Sequence, residues 1–315
     1  MAGCSHKDTT ASSTTPAASA NTFKVALLTT GPVNDGGWNE AAYNGLLSIQ
    51  SKLGAQISKQ ENVKDADFEE AFRDYANQGY SLIIGHGDEF SQAAAKVAAN
   101  FPKTSFVTVG GTNIAPNLSY IYFATEEGTY LQGMEAGYVT KSGKGGFIGG
   151  QEFPPVKAAA QAFANGAVST HPGFTFRTTY LNSWVDPVAA KGQTQALLNS
   201  GCDVIAHNCD AAAKGMFDTA GTVPGVYTFG VNADENGKAP NVLSSAFLNI
   251  PKAFTDIAAT VKNHTFKGSK VMLGLKQHDI VLIDNPKLSK VLTEGQKQNI
   301  KAAALKIADG QLKVL

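Results

Sequence analysis

Residues 23–53, FKVALLTTGPVNDGGWNEAAYNGLLSIQSKL, contain a strand and a helix joined by a glycine-rich turn. The run Phe23–Thr29 is almost entirely apolar, as expected of a strand that is buried on both faces of its sheet. Residues 38–53 predict a helix that ends at Gly54, because glycine readily takes the left-handed conformation that closes helices. A buried strand followed by a helix is the repeating unit of parallel sheets covered by helices.

The same alternation of apolar runs and helical patterns continues to the end of the chain. Further strands are predicted at Ser81–Gly85, Ser105–Val109, Tyr120–Ala124, Gly146–Gly150, Phe174–Tyr180, Asp203–His207, Gly225–Val231, Val242–Ala246, Val271–Leu275, Ile280–Ile283 and, more weakly, Ala55–Lys59. Further helical patterns lie near 66–78, 90–100, 126–141, 156–170, 187–200, 211–220, 251–264 and 294–308. Roughly twelve strands exceed one short open sheet, so two sheets are predicted.

The predicted fold class is α/β, with two doubly wound lobes that are each built on a parallel sheet. Lobe one is predicted to comprise 22–124 and 248–275, and lobe two to comprise 125–247 and 276–315. Periodicity does not reveal which sheet a strand joins, so the C-terminal crossings rest on topology alone.

Composition excludes several classes of partner and site. The 315 residues include 26 basic and 26 acidic side chains, so the chain has no overall electrostatic attraction to nucleic acid. Cys202 and Cys209 bracket a predicted strand and would lie about 20 Å apart, too far for a disulfide. The six histidines and three cysteines show no metal-ligand spacing, so neither a metal nor a cofactor is expected.

The N-terminal segment 1–21 has a different character. It opens Met1-Ala2-Gly3-Cys4-Ser5, and residues 7–20 are mostly Thr, Ser, Ala and Pro, which predicts a disordered tether. Ala-Gly-Cys resembles the end of a bacterial lipobox, which implies a lipid anchor on Cys4 and a Met1 that replaces a removed signal peptide. The alternative is an ordinary cytoplasmic N-terminus with a chance cysteine. The sequence contains no run of 18 or more apolar residues, so no bilayer-spanning segment is predicted.

Nearly every predicted strand ends in a carboxylate, an amide or an aromatic side chain. In open α/β sheets, ligands bind beyond the carboxyl ends of the strands. The candidate ligand-binding residues are Asn34, Asp35, Trp38, Asn39, His86, Asp88, Phe153, Trp184, Asn208, Asp210, Asn232, Asp234 and Lys276. Aromatic faces stack on flat rings, while amides and carboxylates bind hydroxyls and ring edges. This mixture is what a neutral heterocycle with a sugar requires.

Each of these residues also has a purely structural interpretation. Phe153 and Trp184 could be core aromatics, and His86 could be a satisfied core histidine. The alternative for Asp35, Asp186 and Asp210 is helix capping, which is favoured for Asp186 because Pro187 follows it. Asp234 could form a plain turn with Asn236-Gly237 or an ion pair with Lys276.

Several short motifs, taken in order, resemble one protein family. They are GPVNDGGWN (31–39), YF (122–123) with EEGTYLQG (126–133), WVDP (184–187), GVNAD (230–234) and GLK (274–276). Together they resemble the basic membrane lipoprotein family, the purine-nucleoside-receptor-like binding proteins of ABC importers. The chain departs from the family's Asp-x-Ser-Phe-Asn pattern at Gly37 and Trp38, and Asn232 stands where the family has Asp.

The resemblance implies a type I periplasmic-binding fold, a ligand in the cleft between two lobes, and an ABC transporter permease as partner. It further implies a monomer outside the cytoplasmic membrane that closes on a purine nucleoside or nucleobase. Two other classes stay open at this point. The same lobes could serve a chemotaxis or signalling receptor. An enzyme, such as a nucleoside hydrolase or an NAD-dependent enzyme, is disfavoured because the chain lacks a cofactor fingerprint and a poised nucleophile–base pair.

Overall fold

The computed structural model describes residues 22–315, so the predicted tether and the predicted lipidation site Cys4 lie outside the described residues. The strands are β1 Lys24–Thr29, β2 Gln56–Gln60, β3 Leu82–His86, β4 Ser105–Val109, β5 Leu118–Phe123, β6 Lys144–Gly149, β7 Thr175–Tyr180, β8 Val204–Asn208, β9 Tyr227–Asn232, β10 Val242–Leu248, β11 Lys270–Leu273 and β12 Ile280–Asp284. The helices are α1 Trp38–Leu53, α2 Phe68–Asn77, α3 Ser91–Ala98, α4 Thr125–Val139, α5 Pro154–Thr170, α6 Pro187–Asn199, α7 Ala213–Ala220, α8 Ile250–Lys262 and α9 Glu294–Ala308.

The strands form two six-stranded sheets. The first has the order β11-β5-β4-β3-β1-β2, and the second has the order β12-β10-β9-β8-β6-β7. The prediction of two parallel-sheet α/β lobes is confirmed. Among the described residues, one strand pair is an exception to the parallel arrangement: β12 runs antiparallel to β10. The two last strands join different sheets, and the lobe boundaries given above stay a prediction.

Strand β1 shows why the buried strands are apolar throughout. Val25 and Leu27 pack in the cluster that contains side chains of α1 and α8. Ala26 and Leu28 pack in the cluster that contains side chains of α2 and α3. Successive side chains of a strand point to opposite faces, so a strand between two helical layers needs apolar residues at every position. The edge strand β7 is largely exposed and accordingly polar.

Boundary chemistry agrees with several sequence predictions. Gly54 ends α1 in the left-handed conformation, with a φ of 65°. The Asp186 carboxylate accepts hydrogen bonds from the backbone N–H groups of Val188 and Ala189, which confirms that Asp186 caps α6. Cys202 and Cys209 are both buried and free. Within residues 22–315, no helix combines the length and apolarity needed to cross a bilayer.

Helices α4 and α5 approach each other so closely that glycine is required at the crossing. A Cβ atom on Gly166 would lie 2.0 Å from the carbonyl oxygen of Tyr130, and one on Gly133 would lie 2.0 Å from that of Phe163. Side-chain atoms do not approach backbone oxygen to this distance. The backbones of the two helices are therefore in direct contact.

We expect Gly166→Ala to lower the free energy of unfolding by about 1–3 kcal/mol, because the added methyl group must push the two helices apart. Urea unfolding followed by circular dichroism measures this change. The matched control is Gly192→Ala in α6, where a Cβ atom meets nothing within 4 Å. There alanine should add up to about 1 kcal/mol through its better helix propensity. Equal effects of the two substitutions would contradict the tight crossing.

Candidate ligand-binding cleft

The first turn of α1 is organised by Asp35. Its Oδ1 accepts hydrogen bonds from the backbone N–H groups of Gly37 and Glu40, each at 3.0 Å. Its Oδ2 accepts from the backbone N–H of Asn39 at 3.0 Å and from the Asn39 side-chain amide at 2.8 Å. These backbone N–H groups are the ones that a helix start leaves without intrahelical partners. Asp35 therefore acts as a cap in this structure, and it fixes the position of the residues around it.

Trp38 stacks on His86 at the end of β3. The two ring centroids lie 4.1 Å apart with an angle of 27° between the planes. His86 Nε2 lies 3.0 Å from the Trp38 carbonyl oxygen, which accepts a hydrogen bond from the ring. Burial lowers the pKa of His86 to about 3, so the ring is neutral at physiological pH. His86 is fully buried beneath Trp38 and supports that side chain from below.

Asp210 connects the two sheets. It follows β8, and its Oδ1 accepts a hydrogen bond from the backbone N–H of Trp38 at 3.0 Å. Burial, and then the negative charge of Asp35, raise the pKa of Asp210 to about 7. The start of α1 thus meets a carboxylate of the opposite sheet. Two candidates from distant parts of the sequence, Trp38 and Asp210, are brought into direct contact.

Behind Asp210 lies a buried ion pair that sequence reasoning did not identify. His207 Nε2 and Glu235 Oε2 are 2.8 Å apart, and both side chains are buried. The same Glu235 oxygen accepts from the backbone N–H of Val231 at 2.9 Å. Burial opposes protonation of His207, but the charge of Glu235 and hydrogen bonds to Glu235 and Cys209 raise its pKa to about 10. The only sequence signal for Glu235 is its place directly after the GVNAD motif.

The neighbours of Glu235 in that motif have different environments. Asn232 is buried at the end of β9, with a φ of 67° in the left-handed region. Asp234 is exposed, and its carboxylate accepts from the Asn236 backbone N–H at 3.1 Å, as in a plain turn. The ion pairs of residues 22–315 include no pair of Asp234 with Lys276. Lys238 was not predicted, and its Nζ lies 3.6 Å from the Cβ position of Gly36.

The remaining candidates are spread over the ends of both sheets. Asn34 and Asp88 are exposed, and Asn208 is half-buried at the end of β8. The rings of Phe153 and Trp184 lie 6.1 Å apart, and Phe153 is 42% exposed. Trp184 also packs over Gly150, where a Cβ atom would lie 2.1 Å from the indole. These two aromatics form a pair on the second sheet. No group of three His, Cys, Asp or Glu side chains within 22–315 is arranged to hold a metal ion.

Lys276 lies apart from the contacts around Asp210. It is exposed and lines a cavity of about 250 Å³ together with Glu127 and the last turn of α9. The Glu127 carboxylate accepts from the backbone N–H of Leu275 at 2.7 Å. Glu127 therefore contacts the segment between β11 and β12, where the chain crosses from one sheet to the other. Lys276 as a ligand contact stays a prediction.

Comparison with known proteins places the chain in a family. The family described as ABC transporter substrate-binding protein PnrA-like matches residues 22–314. The transcriptional activator protein Med of Bacillus subtilis is 29% identical over 78% of this chain and 77% of its own. A purine-binding protein of Brucella abortus is 28% identical over 92% of this chain and 84% of its own.

A solved structure shares the fold. The solute-binding protein of an ABC transporter system from Aeropyrum pernix K1 superimposes with a TM-score of 0.83, covering 92% of each chain at 19% identity. At this identity the likeness concerns the fold alone. The family is one of substrate-binding proteins and not of enzymes. The resemblance inferred from the sequence motifs is confirmed, and the chain belongs to the Bmp family of PnrA-like ABC transporter substrate-binding proteins.

Proposed function

We propose that this protein is the extracytoplasmic solute-binding lipoprotein of an ABC importer, and that it captures a purine nucleoside or a related nucleobase by closing its two lobes. The observation that carries the proposal is the ring of Trp38, held by His86 at the point where the two sheets meet. A preorganised aromatic face at such a cleft suits a flat heterocycle. The purine-binding relative from Brucella abortus supports the choice of ligand.

In this proposal Trp38 stacks on the base, and polar groups of both lobes bind its edge and the sugar. Asp35 acts indirectly, because its oxygens already hold the first turn of α1. Asp210 lies beside Trp38 and offers carboxylate lone pairs to a ligand hydroxyl or ring N–H. Asn34, Asp88, Phe153, Trp184, Asn208, Asn232, Asp234 and Lys276 are the further proposed contacts. Ligand bound to both lobes favours the closed form, which then docks on the permease.

The proposal includes a lipid anchor on Cys4 and action as a monomer. An acyl chain on the first cysteine would hold the protein at the outer face of the cytoplasmic membrane, next to its permease. Segment 1–21 would be the tether between that anchor and the lobes.

A second candidate function is ligand-dependent regulation. It is favoured by the relative from Bacillus subtilis, which is named as a transcriptional activator. The same lobe closure would then present the ligand state to a signalling partner rather than to a permease. Pull-down of the ligand-saturated protein from solubilised membranes, followed by identification of the captured protein, separates the two functions: an ABC permease supports the importer, whereas a signalling protein supports regulation.

A thermal-shift screen of refolded protein against nucleosides, bases, sugars and amino acids tests the proposed ligand class. Refolding removes any co-purified ligand that would mask binding. A ligand at about 100 times its Kd adds about 2.7 kcal/mol to the free energy of unfolding, which is several degrees in Tm. A shift with purine compounds alone supports the proposal. A shift with sugars or amino acids only would overturn the purine assignment.

We expect Trp38→Ala to weaken binding of the purine ligand roughly 5- to 150-fold, because stacking contributes about 1–3 kcal/mol per base. Isothermal titration calorimetry of the refolded variant measures this loss. The matched control is Tyr43→Ala, a half-buried aromatic of the same helix that lies beneath Lys59. Its affinity should match that of the wild type. An unchanged affinity of Trp38→Ala would remove Trp38 from the site.

A further inference from the structure

We propose that Gly37 and Asp210 form a closure stop, a contact that sets how far the two lobes approach each other and thereby the size of ligand that the cleft retains. The inference rests on the proposed function, because it assumes that the lobes close around a ligand. The stop consists of the space above Gly37, filled by the carboxylate of Asp210 from the opposite sheet.

The distances leave no room for a side chain at Gly37. A Cβ atom there would lie 2.1 Å from Asp210 Oδ1 and 3.4 Å from Asp210 Cγ. Non-bonded heavy atoms essentially never come within 3 Å of a Cβ atom. Any other residue at this position therefore requires either that Asp210 rotates away or that the lobes stay further apart.

The Asp210 side chain is not free to rotate without loss. Its Oδ1 accepts a hydrogen bond from the Trp38 backbone N–H, which has no partner within the helix because it lies at the helix start. Its backbone has a φ of 50°, in the left-handed region, and a tight helical turn follows over Asp210–Ala212. Rotation would break the hydrogen bond across the cleft. Opening of the lobes is the alternative response.

Gly37 has a φ of −151° and a ψ of −118°, outside the β and α regions that residues with a Cβ atom mostly occupy. A test of the stop must therefore separate the contact with Asp210 from the effect of the backbone conformation. Gly36 has a φ of 73°, and the Nζ atom of Lys238 lies 3.6 Å from its Cβ position. Lys238 and Asp210 both follow strands of the second sheet. Two successive residues of one lobe thus lie directly under ionisable side chains of the other lobe.

With glycine the lobes close until Asp210 reaches the helix start. With a larger residue they stop earlier and leave a wider cleft. A small ligand such as a free base needs the full closure to contact both lobes, whereas a nucleoside spans a wider gap.

The test measures the distance between the lobes with and without the stop. Spin labels are attached to cysteines introduced by Gln92→Cys and Lys191→Cys, exposed positions on α3 and α6, in the full chain with Cys4→Ser. The four proteins compared are the labelled wild type, Gly37→Ala, Asp210→Ala and the double variant. We expect Gly37→Ala to shift the distance distribution toward open lobes, and to do so only while Asp210 is present. This double-mutant cycle separates the stop from a local backbone effect, since Asp210→Ala removes the atoms that collide.

Binding provides the second measurement. We expect Gly37→Ala to weaken binding of a free purine base at least about tenfold more than binding of the nucleoside, a difference of about 1.4 kcal/mol. Gly295→Ala, where a Cβ atom meets nothing within 4 Å, is the control and should change neither the distances nor the affinities. If Gly37→Ala opens the lobes equally with and without Asp210, or does not open them, the stop is refuted. The distances are measured on the free protein and on protein saturated with inosine, because in the proposed function ligand favours the closed form. Absence of purine binding by the wild type would refute the proposed function instead, and the distances of the free protein would then decide whether the stop exists.

Discussion

Replacing Glu235 by alanine should lower the free energy of unfolding by about 3–5 kcal/mol near neutral pH, because it leaves the buried His207 imidazolium without its partner. The His207–Glu235 pair is 1% and 9% exposed, with 2.8 Å between the two charged atoms. The Val231 backbone N–H would also lose its acceptor. Burial of both side chains keeps bulk solvent from replacing these interactions. The measurement is urea unfolding of both proteins between pH 6 and pH 10.

The pH dependence of this effect has a defined sign. The pKa of His207 is raised from 6.5 to about 10 in the folded protein. A group with a raised folded pKa contributes stability that is fully present below its unfolded pKa and is lost as the pH rises through the folded one. The difference between wild type and Glu235→Ala should therefore shrink as the pH approaches 10. Glu294→Ala, an exposed member of a surface pair on α9, should change stability little at any pH. A similar loss in both variants would contradict the assigned pair.

Replacing Glu135 by glutamine should make the stability of the protein less sensitive to a rise in pH from 4.5 to 8. Glu135 is 1% exposed in α4, and its carboxyl group accepts a hydrogen bond from the Ser244 hydroxyl. Burial, together with the charge of Asp284, raises the pKa of Glu135 from 4.5 to about 8. The carboxyl group is thus mostly protonated at neutral pH. Ionisation inside the protein is costly, because the hydrogen bond from Ser244 only partly offsets the burial of the charge.

The pH window of this effect follows from the ordinary pKa of 4.5 and the folded pKa of about 8. The contribution of Glu135 is fully present below pH 4.5 and declines by up to about 1.4 kcal/mol per pH unit as the pH rises toward 8. Glutamine keeps the shape and a hydrogen-bonding oxygen but does not titrate. Thermal unfolding at a series of pH values should show Glu135→Gln gaining stability relative to the wild type between pH 4.5 and pH 8, with no further change in the difference above pH 8. Parallel curves for the two proteins would mean that Glu135 is already ionised in the folded state.

The His207–Glu235 pair borders the region that the proposal assigns to ligand binding. His207 and Glu235 lie behind Asp210, and Asp35 holds the helix start that Asp210 meets. A network of paired groups keeps side-chain positions fixed before the ligand arrives. Preorganisation of this kind reduces the ordering cost of binding. The Glu235 prediction and the Trp38 prediction therefore probe one connected structure.

The fold was predictable because its signals are local. A strand covered by helices on both faces must be apolar at each position, as in Val25–Leu28, and a helix must end where Gly54 takes the left-handed conformation. The Asp186-Pro187 pair likewise predicts a helix start without any long-range information. Each of these signals extends over a few residues, which is the range that periodicity and capping describe.

The cleft was predictable only in outline. Sequence reasoning placed polar and aromatic residues at the strand ends, and Trp38 and Asp210 do meet there. It did not identify Glu235, which is buried. It named the exposed neighbour Asp234 as a candidate instead. Burial depends on what covers a side chain from another part of the chain. The residues next to a side chain in the sequence therefore do not show whether a distant segment buries it.

The sequence alone determined the alternation of strands and helices, the family and the positions of the loops at the strand ends. Only the tertiary structure decided which of those loops touch. Trp38 and Asp210 are 172 positions apart in the chain, and Glu135 and Ser244 are 109 apart. Such pairs form because two sheets and their helices dock in one arrangement. The free energy that selects that arrangement comes from the packing of the whole chain and not from any local pattern.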